Sequence, residues 1–462
     1  MISGFAIVVD VGKTLTKVSL WSREGRLLQR ATRPGSSLVI DGHRHLDAPA
    51  IGEFVLDAIA GMDAAEVRYL VPVAHGAGVA AIRGDTLAVL PLDYEQPLQG
   101  DILAEYRLQR APFAETGSPA LPGGLNFGAQ LFWLDRKMPT AMHGATLLPW
   151  AQYWAWFLSG AAASEATSLG CHSDLWNPAQ GRFSSLAEQQ GWAGRFAPLA
   201  RAGEAIGTVR PDIAKRCGLP ASCQVLAGLH DSNAALIAAR GFPEIAGGEA
   251  TVLSTGTWFV AMRSGAGILP DLPEERDCLV NVDAFGQPVP SARFMGGREI
   301  ELLVEIDTRR VDIVPDQPRM LASVPGIVAQ GSMVLPTLTP GCGPFPVAQG
   351  GWHNRPDDWF ARRAGACLYA ALVADTALDL IGARDTLLIE GRFAEAQVLV
   401  RAVAALRPEM QVYTANAHTD VSFGALRLID PDLAPEGTLN AVEPLPIALE
   451  QYRTEWTGRI SA

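Results

Sequence analysis

The chain has 462 residues, too many for a single hydrophobic core, so two domains are expected. With 48% hydrophobic and 19% charged residues it has the composition of a globular protein and not of a disordered one. Acidic residues outnumber basic ones, 49 to 37, for a formal net charge of −12. That balance argues against nucleic acid or an anionic membrane as partner, since both select a basic face.

The first element is the most informative. An apolar run, Ile7-Val8-Val9, ends in Asp10-Val11-Gly12-Lys13-Thr14 and leaves as Leu15 to Trp21. Gly12-Lys13-Thr14 matches the last three letters of a Walker P-loop, but that motif needs a glycine five positions earlier, where Ile7 stands. A P-loop must also open a helix, whereas Leu15-Thr16-Lys17-Val18-Ser19-Leu20-Trp21 alternates with the period of a strand. The expectation is therefore a phosphate-contacting hairpin. Its donors are backbone N–H groups and the Thr14 and Thr16 hydroxyls, with Lys13 and Lys17 adding positive charge. Asp10 waits at the strand end to orient a magnesium shell. The bland alternatives are an ordinary tight hairpin and, for Lys17, a surface lysine alternating out of the strand.

A third strand is expected at Leu27–Ala31, a helix near Pro49–Gly61 and a strand at Tyr69–Ala74. His75 and Gly76 follow that strand end, a position that favours ligand contact. Asp93, Tyr94 and Glu95 form a polar cluster able to reach sugar hydroxyls. His43 and His45 are assigned nothing specific. Gly117–Gly124 reads as a loop, and Gln130-Leu131-Phe132-Trp133-Leu134 begins a helical pattern. Leu147–Ala163 is tryptophan-rich but interrupted by polar residues; it is read as a buried helix and not a membrane span. Residues 171–186 read as a hairpin around Asn177–Gly181. A strand, Gln224–Ala227, then leads through Gly228-Leu229-His230-Asp231 into a helix, Ala234–Arg240, with Asp231 or Ser232 as N-cap. At that strand-to-helix edge Asp231 is the candidate general base, able to take a proton from a sugar hydroxyl; His230 beside it is a candidate substrate contact.

The domain boundary is placed between Gly241 and Glu249. The opening pattern then recurs: strand Ala250–Leu253, turn Ser254-Thr255-Gly256-Thr257, strand Trp258–Met262. This echo predicts two related halves, each offering a phosphate-contacting hairpin at a shared cleft, with Thr255, Gly256 and Thr257 as nucleotide contacts. A long helix near Asp357–Ile381, a strand Thr386–Ile389, a turn Glu390-Gly391-Arg392-Phe393 and a helix Ala394–Leu406 follow. The six cysteines, at 171, 217, 223, 278, 342 and 367, contain no Cys-x-x-Cys pair, which with the lack of a signal-peptide pattern predicts a reduced, cytoplasmic protein. No histidine, cysteine or carboxylate grouping has zinc spacing.

Taken in order along nearly the whole length, these motifs resemble the FGGY carbohydrate kinases of the actin and sugar-kinase superfamily. Asp10-Val11-Gly12-Lys13-Thr14 with Thr16 and Lys17 resembles the first phosphate motif, and Ser254–Thr257 the second. Gln130–Leu134 resembles the Lys-Leu-x-Trp segment, with Gln130 in place of the lysine. Glu165-Ala166-Thr167-Ser168, with Trp176-Asn177-Pro178, resembles the stretch after the aromatic helix. Gly228-Leu229-His230-Asp231 resembles the Gly-x-His-Asp of rhamnulokinase-like members, in which the aspartate is the base. Glu390-Gly391-Arg392 stands where the adenosine turn usually has paired glycines. Ala74-His75-Gly76 lacks the methionine that precedes His-Gly in xylulokinases.

The resemblance implies an α/β fold of two ribonuclease-H-like domains flanking a central cleft: a sugar-binding domain over 1–246 and a nucleotide-binding domain over 247–462. It implies ATP and Mg2+ as cofactors, with Asp10 and Asp231 as metal-side carboxylates and Gly391 and Arg392 as further nucleotide contacts. It implies a ketose, polyol or sugar-acid substrate, and the missing methionine favours a deoxyketohexulose or ketopentose over xylulose, as for a rhamnulokinase- or fuculokinase-like enzyme. A homodimer stays open. The alternative is a catalytically silent sensor of the same fold, or an ATPase coupled to a protein partner.

Overall fold

The computed structural model describes residues 4–267, 269–304, 311–415 and 421–460. The chain divides into two units, one of Met1–Gly241, Val280–Pro288 and Asp420–Pro435, the other of Phe242–Leu279, Val289–Thr419 and Glu436–Ala462. The main division falls between Gly241 and Phe242. The first unit also takes two segments from the second half of the chain, so a single cut at 246/247 does not describe it. Patterning within a segment reports its own secondary structure and not the core it joins.

The first unit is built on β1 (Phe5–Val11), β2 (Leu15–Trp21), β3 (Leu27–Pro34), α1 (Ala48–Ala60), β4 (Val67–Ala74), α2 (Phe127–Lys137), α3 (Trp150–Ser159), α4 (Ala166–Leu169), β5 (Ala205–Thr208), β6 (Gln224–Leu226), β7 (Leu229–His230) and α5 (Asp231–Ala239). The sheet order is β5-β6-β4-β1-β2-β3, with β7 also paired to β4. β1, β4 and β6 run parallel; β2 and β3 return antiparallel. β1 is apolar almost throughout because both its faces are covered. Ile7, Val9 and Val11 enter one core with α1 and α3, while Ala6 and Val8 enter another with Ala234 and Ile237 of α5.

α3 carries Trp150, Trp154 and Trp156 and ends at Gly160, whose φ of 81° suits a left-handed helix cap. Leu147–Pro149, expected as the start of this helix, instead ends a short strand, Thr146–Pro149. Pro149 serves as the helix N-cap, a position that needs no helical φ/ψ.

The second unit contains β8 (Ala250–Thr255), β9 (Phe259–Ser264), β10 (Pro288–Phe294), α6 (Gly296–Val304), α7 (Gln317–Ala329), α8 (Trp359–Leu380), β11 (Thr386–Gly391), α9 (Gln397–Leu406) and β12 (Gln411–Ala415). The strand order β10-β9-β8-β11-β12 repeats β3-β2-β1-β4-β6: three antiparallel strands, then two added in parallel. The echo seen in the sequence is thus a repeat of topology. α8 is buried along most of its length, and the Asp358 carboxylate caps it by accepting from the Ala361 N–H at 2.9 Å. α10 (Val421–Leu426) belongs to the first unit and lies against α5; a Cβ on Gly424 would come 1.8 Å from the Ala234 carbonyl oxygen, so only glycine fits.

Trp154 is fully buried, 5.1 Å from the Trp150 ring and 5.0 Å from Tyr153. Truncating it to alanine leaves a large cavity and should cost roughly 3–5 kcal/mol. The urea midpoint of Trp154→Ala should fall with the slope retained; an unmoved midpoint would contradict this packing.

Candidate active site

In the first unit the parallel register brings three strand ends level. Val11 pairs with Ala74, and Ala74 pairs with His230. The residues that leave those ends, Gly12, His75 and Asp231, therefore emerge side by side at the carboxyl edge of the sheet, where α/β folds place ligands.

The hairpin expected at the start of the chain is present. Its ladder closes at Gly12, whose N–H donates to the Leu15 carbonyl at 3.1 Å. The amide of Gly12 is therefore spent within the turn, leaving Lys13 and Thr14 at the tip, with Thr14 exposed and Thr16 buried. Asp10 is 4% exposed and faces Lys17 across the β1–β2 ladder, and the Lys17 ammonium donates to its carboxylate at 3.0 Å. Lys17 is thus not a solvent-facing strand lysine. Lys13 reaches away from the hairpin: its ammonium donates to the buried Asp93 carboxylate, lies 3.4 Å from Glu95 and sits 4.9 Å from the centre of the Tyr94 ring. The structure thereby groups Lys13 with the residues expected to meet sugar.

His75 stands edge-on to Tyr94, with ring centres 5.4 Å apart. Burial and the nearby Lys13 charge push its pKa down to about 3, so the ring is neutral near pH 7. Burial likewise lowers His230 to about 4. Tyr94 is pushed up to about 12, by burial first and then by Glu95, Asp93 and Asp231. Gly76 is required here, since a Cβ would come 2.7 Å from the Cys171 sulfur and 2.8 Å from His230 Nε2.

Asp231 is the first residue of α5, and His230 is the N-cap, with no side-chain cap hydrogen bond. The expectation that Asp231 or Ser232 caps this helix is corrected. β7 extends the extended backbone to His230, so the helix begins at Asp231, three residues earlier than expected. The carboxylate is left to face the site. His230 Nε2 stands 3.2 Å from Asp231 Oδ1, and the Ser232 hydroxyl donates to the same oxygen at 3.3 Å. Surrounding protein pushes Asp231 up to about 6, opposed by the Ser232 bonds and by Lys17. Its side chain is 31% exposed, so water still reaches it and tempers that push.

Sequence reasoning assigned no role to the group beneath Asp231. Glu165, buried at the N-cap of α4, accepts from the Thr167 N–H at 2.9 Å and the Thr167 hydroxyl at 2.6 Å. Thr167 Oγ1 in turn accepts the His230 N–H at 3.0 Å, holding the strand end that leads into Asp231. Burial pushes Glu165 up to about 7 against these hydrogen bonds. Gln152 of α3 donates to the carbonyls of Ala227 and Gly228, both at 3.1 Å. Gly228 has φ of +76°, and a Cβ there would come 2.1 Å from the Pro72 carbonyl. The available signal was an acid two residues before a threonine at a short helix start, which local pattern cannot tell from plain capping. Gln130 is fully buried and donates to the carbonyls of Ala77 and Gly124 at 2.9 and 2.6 Å, holding loop backbone and not a ligand. His45 is tied to the Leu90 carbonyl at 3.0 Å.

In the second unit Thr255, Gly256, Thr257, Gly391 and Arg392 also gather. Thr255 pairs with Gly391 in the parallel register of β8 and β11. The Thr255 hydroxyl donates to the Glu390 carbonyl at 2.6 Å and accepts the Phe393 N–H at 3.0 Å, so this side chain staples two strand ends together. Ser254 donates to the Glu390 carboxylate at 2.7 Å. Thr257 is the exposed hydroxyl of that tip, as Thr14 is of the first. Gly391 ends β11 with φ of +86°, and a Cβ on Gly297 would come 2.0 Å from the Gly256 carbonyl, so backbone crowds this corner. Arg392 is 40% exposed, with its Nε 4.0 Å from Asp312.

Residues 247–436 match the C-terminal domain of the family described as carbohydrate kinase FGGY. The chain is 61% identical to a carbohydrate kinase from Novosphingobium aromaticivorans of known crystal structure, over 100% of this chain and 99% of that one, with a TM-score of 0.96.

The chain belongs to the FGGY carbohydrate kinases.

Its fold is the α/β sugar-kinase fold of the actin-like ATPases, shared with xylulose kinase from Rhodospirillum rubrum at 17% identity, 99% and 98% coverage and a TM-score of 0.76. L-fuculokinase from Salmonella typhi is 27% identical over 289 residues, which span 56% of this chain and 56% of that relative. Among the described residues no helix is long and apolar enough to cross a membrane, and no three histidine, cysteine or acidic side chains group as a metal site. A magnesium ion that keeps most of its waters asks for only one or two carboxylates, and Asp10 and Asp231, with Lys17 acting on both, fit that demand.

The shifts of His75 and His230 give a sign that can be checked directly. Both rings should stay neutral at every pH above about 5, since burial lowers both values well below the ordinary 6.5. Nitrogen-15 imidazole NMR between pH 5 and 8 should show two rings that do not titrate; a midpoint near 6.5 for either would contradict the described burial.

Proposed function

We propose that this FGGY kinase transfers the γ-phosphoryl group of ATP to a hydroxyl of a small ketose, a deoxyketohexulose or ketopentose, in cytoplasmic carbohydrate catabolism. The observation that carries the reading is the placement of Asp231: a raised-pKa carboxylate at a strand-to-helix edge, beside His230, with Lys17 and Asp10 close by.

Asp231 takes the proton of the substrate hydroxyl as its oxygen bonds to the γ-phosphorus, and the bond from that phosphorus to the β,γ-bridging oxygen breaks, releasing ADP. His75, the Gly76 backbone, Asp93, Tyr94 and His230 hold the sugar. Neutral imidazoles suit hydroxyl recognition, because each ring offers one donor and one acceptor. Gly12, Thr14 and Lys17 on the first hairpin, and Thr255, Gly256, Thr257, Gly391 and Arg392 in the second unit, meet the nucleotide, while Lys13 stands with the sugar-facing residues through its bond to Asp93. Thr14 and Thr257 do so through exposed tip hydroxyls; Thr255 acts by shaping the turn. Asp10 and Asp231 would hold magnesium through its waters, and the ion would spread phosphate charge. The relation to L-fuculokinase supports a deoxyketohexulose, and the absence of a methionine before His75-Gly76 separates the chain from xylulokinases.

A coupled assay of ADP release across ketoses and polyols tests the reading, and sugar-independent release or none would sink it. Asp231→Ala should fold and bind nucleotide but lose turnover by about three orders of magnitude or more. The base works ionised. With a pKa near 6, kcat/KM should therefore level off above pH 7 and fall about tenfold per pH unit below 6.

A further inference from the structure

Two segments of the first unit carry most of the sugar-facing residues: the exit of β4, with His75 and Gly76, and the loop with Asp93 and Tyr94. Their rings meet edge-on, His75 and Tyr94 being centred 5.4 Å apart. Their backbones are linked through a third segment, residues 117–126, which contains no helix or strand. The Gly124 N–H donates to the Tyr94 carbonyl at 3.2 Å. A Cβ on Gly124 would lie 3.4 Å from Tyr94 Cα and 3.2 Å from Gln130 Cγ, so this glycine is gripped between the two. A stretch with no ladder of its own takes its place from the side chains that bond its backbone.

Asn126 and Gln130 are those side chains. They stand four residues apart across the first turn of α2, a helix whose Leu131, Phe132 and Trp133 are set in the core. Asn126 gathers the segment upon itself. Its Oδ1 accepts the Leu121 N–H at 2.8 Å, and its Nδ2 donates to the Ser118 hydroxyl at 3.1 Å and the Pro119 carbonyl at 3.0 Å. Gln130 ties the segment to the exit of β4: its Nε2 donates to the Gly124 carbonyl at 2.6 Å and to that of Ala77, two residues beyond His75, at 2.9 Å. One amide therefore spans the stretch that carries His75 and the stretch that holds Tyr94. Both partners are carbonyl oxygens, which only accept, so the NH2 end must face them. Among the described residues the buried Gln130 Oε1 has no hydrogen-bond partner, so the side chain serves as a donor alone.

We propose that Gln130 is a positioning residue for the sugar: without touching substrate, it sets the spacing of the His75 and Tyr94 segments and through it the affinity for the sugar. The inference rests on the reading in which those two residues meet the sugar. A wall already held in place spares the substrate the cost of ordering it. Loss of the brace weakens sugar binding equally in the ground state and the transition state, which raises KM and leaves kcat.

The test compares Gln130→Met, of similar length but without donors, with Gln130→Lys, which keeps donors for both carbonyls. The sugar is whichever of L-fuculose, L-rhamnulose and D-ribulose the wild type phosphorylates fastest. Gln130→Met should raise the sugar KM about tenfold or more, with kcat within about twofold and the KM for ATP unmoved. Gln130→Lys should bring the sugar KM back to within about threefold of wild type. Hydrogen exchange without any ligand should show the Gly124 amide losing about tenfold or more of its protection in Gln130→Met and regaining it in Gln130→Lys, while the amides of residues 131–134 stay unchanged. An unmoved sugar KM in Gln130→Met, or a rise accompanied by equal losses in kcat and in the KM for ATP, overturns the proposal. A Gln130→Lys variant no better than Gln130→Met overturns it as well. Absence of ADP release with every sugar would remove the phosphotransfer reading instead. Calorimetric affinities of wild type and Gln130→Met for the same three sugars would then decide the proposal, and equal or undetectable affinities would overturn it.

Discussion

The parallel pairing of β1, β4 and β7 is the constraint on which the site depends. A parallel ladder aligns strand ends of the same chemical sense, so residues far apart in sequence leave the sheet at one edge. Val11, Ala74 and His230 share that level, and Gly12, His75 and Asp231 therefore leave the sheet side by side. Glycines allow the approach. Gly228 lets its turn lie against the Pro72 carbonyl, and Gly76 leaves the space that His230 and Cys171 occupy.

Once aligned, the groups act on one another through partly buried surroundings. Burial does two opposite things at this edge. It holds the two imidazoles neutral, and it raises Asp231 and Glu165 toward neutrality. A carboxylate with a value near 6 holds a proton more strongly than an exposed one and is still ionised near pH 7. Lys17 keeps that shift from running further while remaining bonded to Asp10. Glu165 works at one remove: through the Thr167 hydroxyl it fixes the backbone N–H of His230, and so the start of the helix that carries Asp231.

The same strand order occurs in both units, and the same kind of hairpin opens each. In each hairpin the first glycine N–H is consumed by the turn, by Leu15 in one and Trp258 in the other, and an exposed threonine is left at the tip. The two differ in how the neighbouring parallel strand is joined. In the second unit the Thr255 hydroxyl staples β8 to the exit of β11. In the first, the sheet edge is secured by side chains from other elements, Gln152 and Thr167, which leaves the Asp231 carboxylate partly exposed while Asp10 stays buried against Lys17.

Local pattern was enough for the elements themselves. Period-two alternation marked β2, the continuous apolar run marked β1, and the recurrence of strand, glycine turn and strand near residue 250 announced the repeated topology, because backbone periodicity depends only on near neighbours. Asp231, His75, Asp93 and Tyr94 were also legible as candidates, since polar residues at strand ends stand out against apolar flanks. Their arrangement was not. That Lys13 turns to Asp93 and away from its own hairpin, that Lys17 bonds Asp10, and that Glu165 reaches His230 through Thr167 are choices made across separations of 80, 7 and 63 to 65 positions. The helix start moved to Asp231 because β7 is recruited by β4, a partner about 155 residues earlier that no local window contains. Charge partners, burial and the pKa values that follow belong to the packed sheet, because each depends on which distant segment supplies the neighbouring atoms.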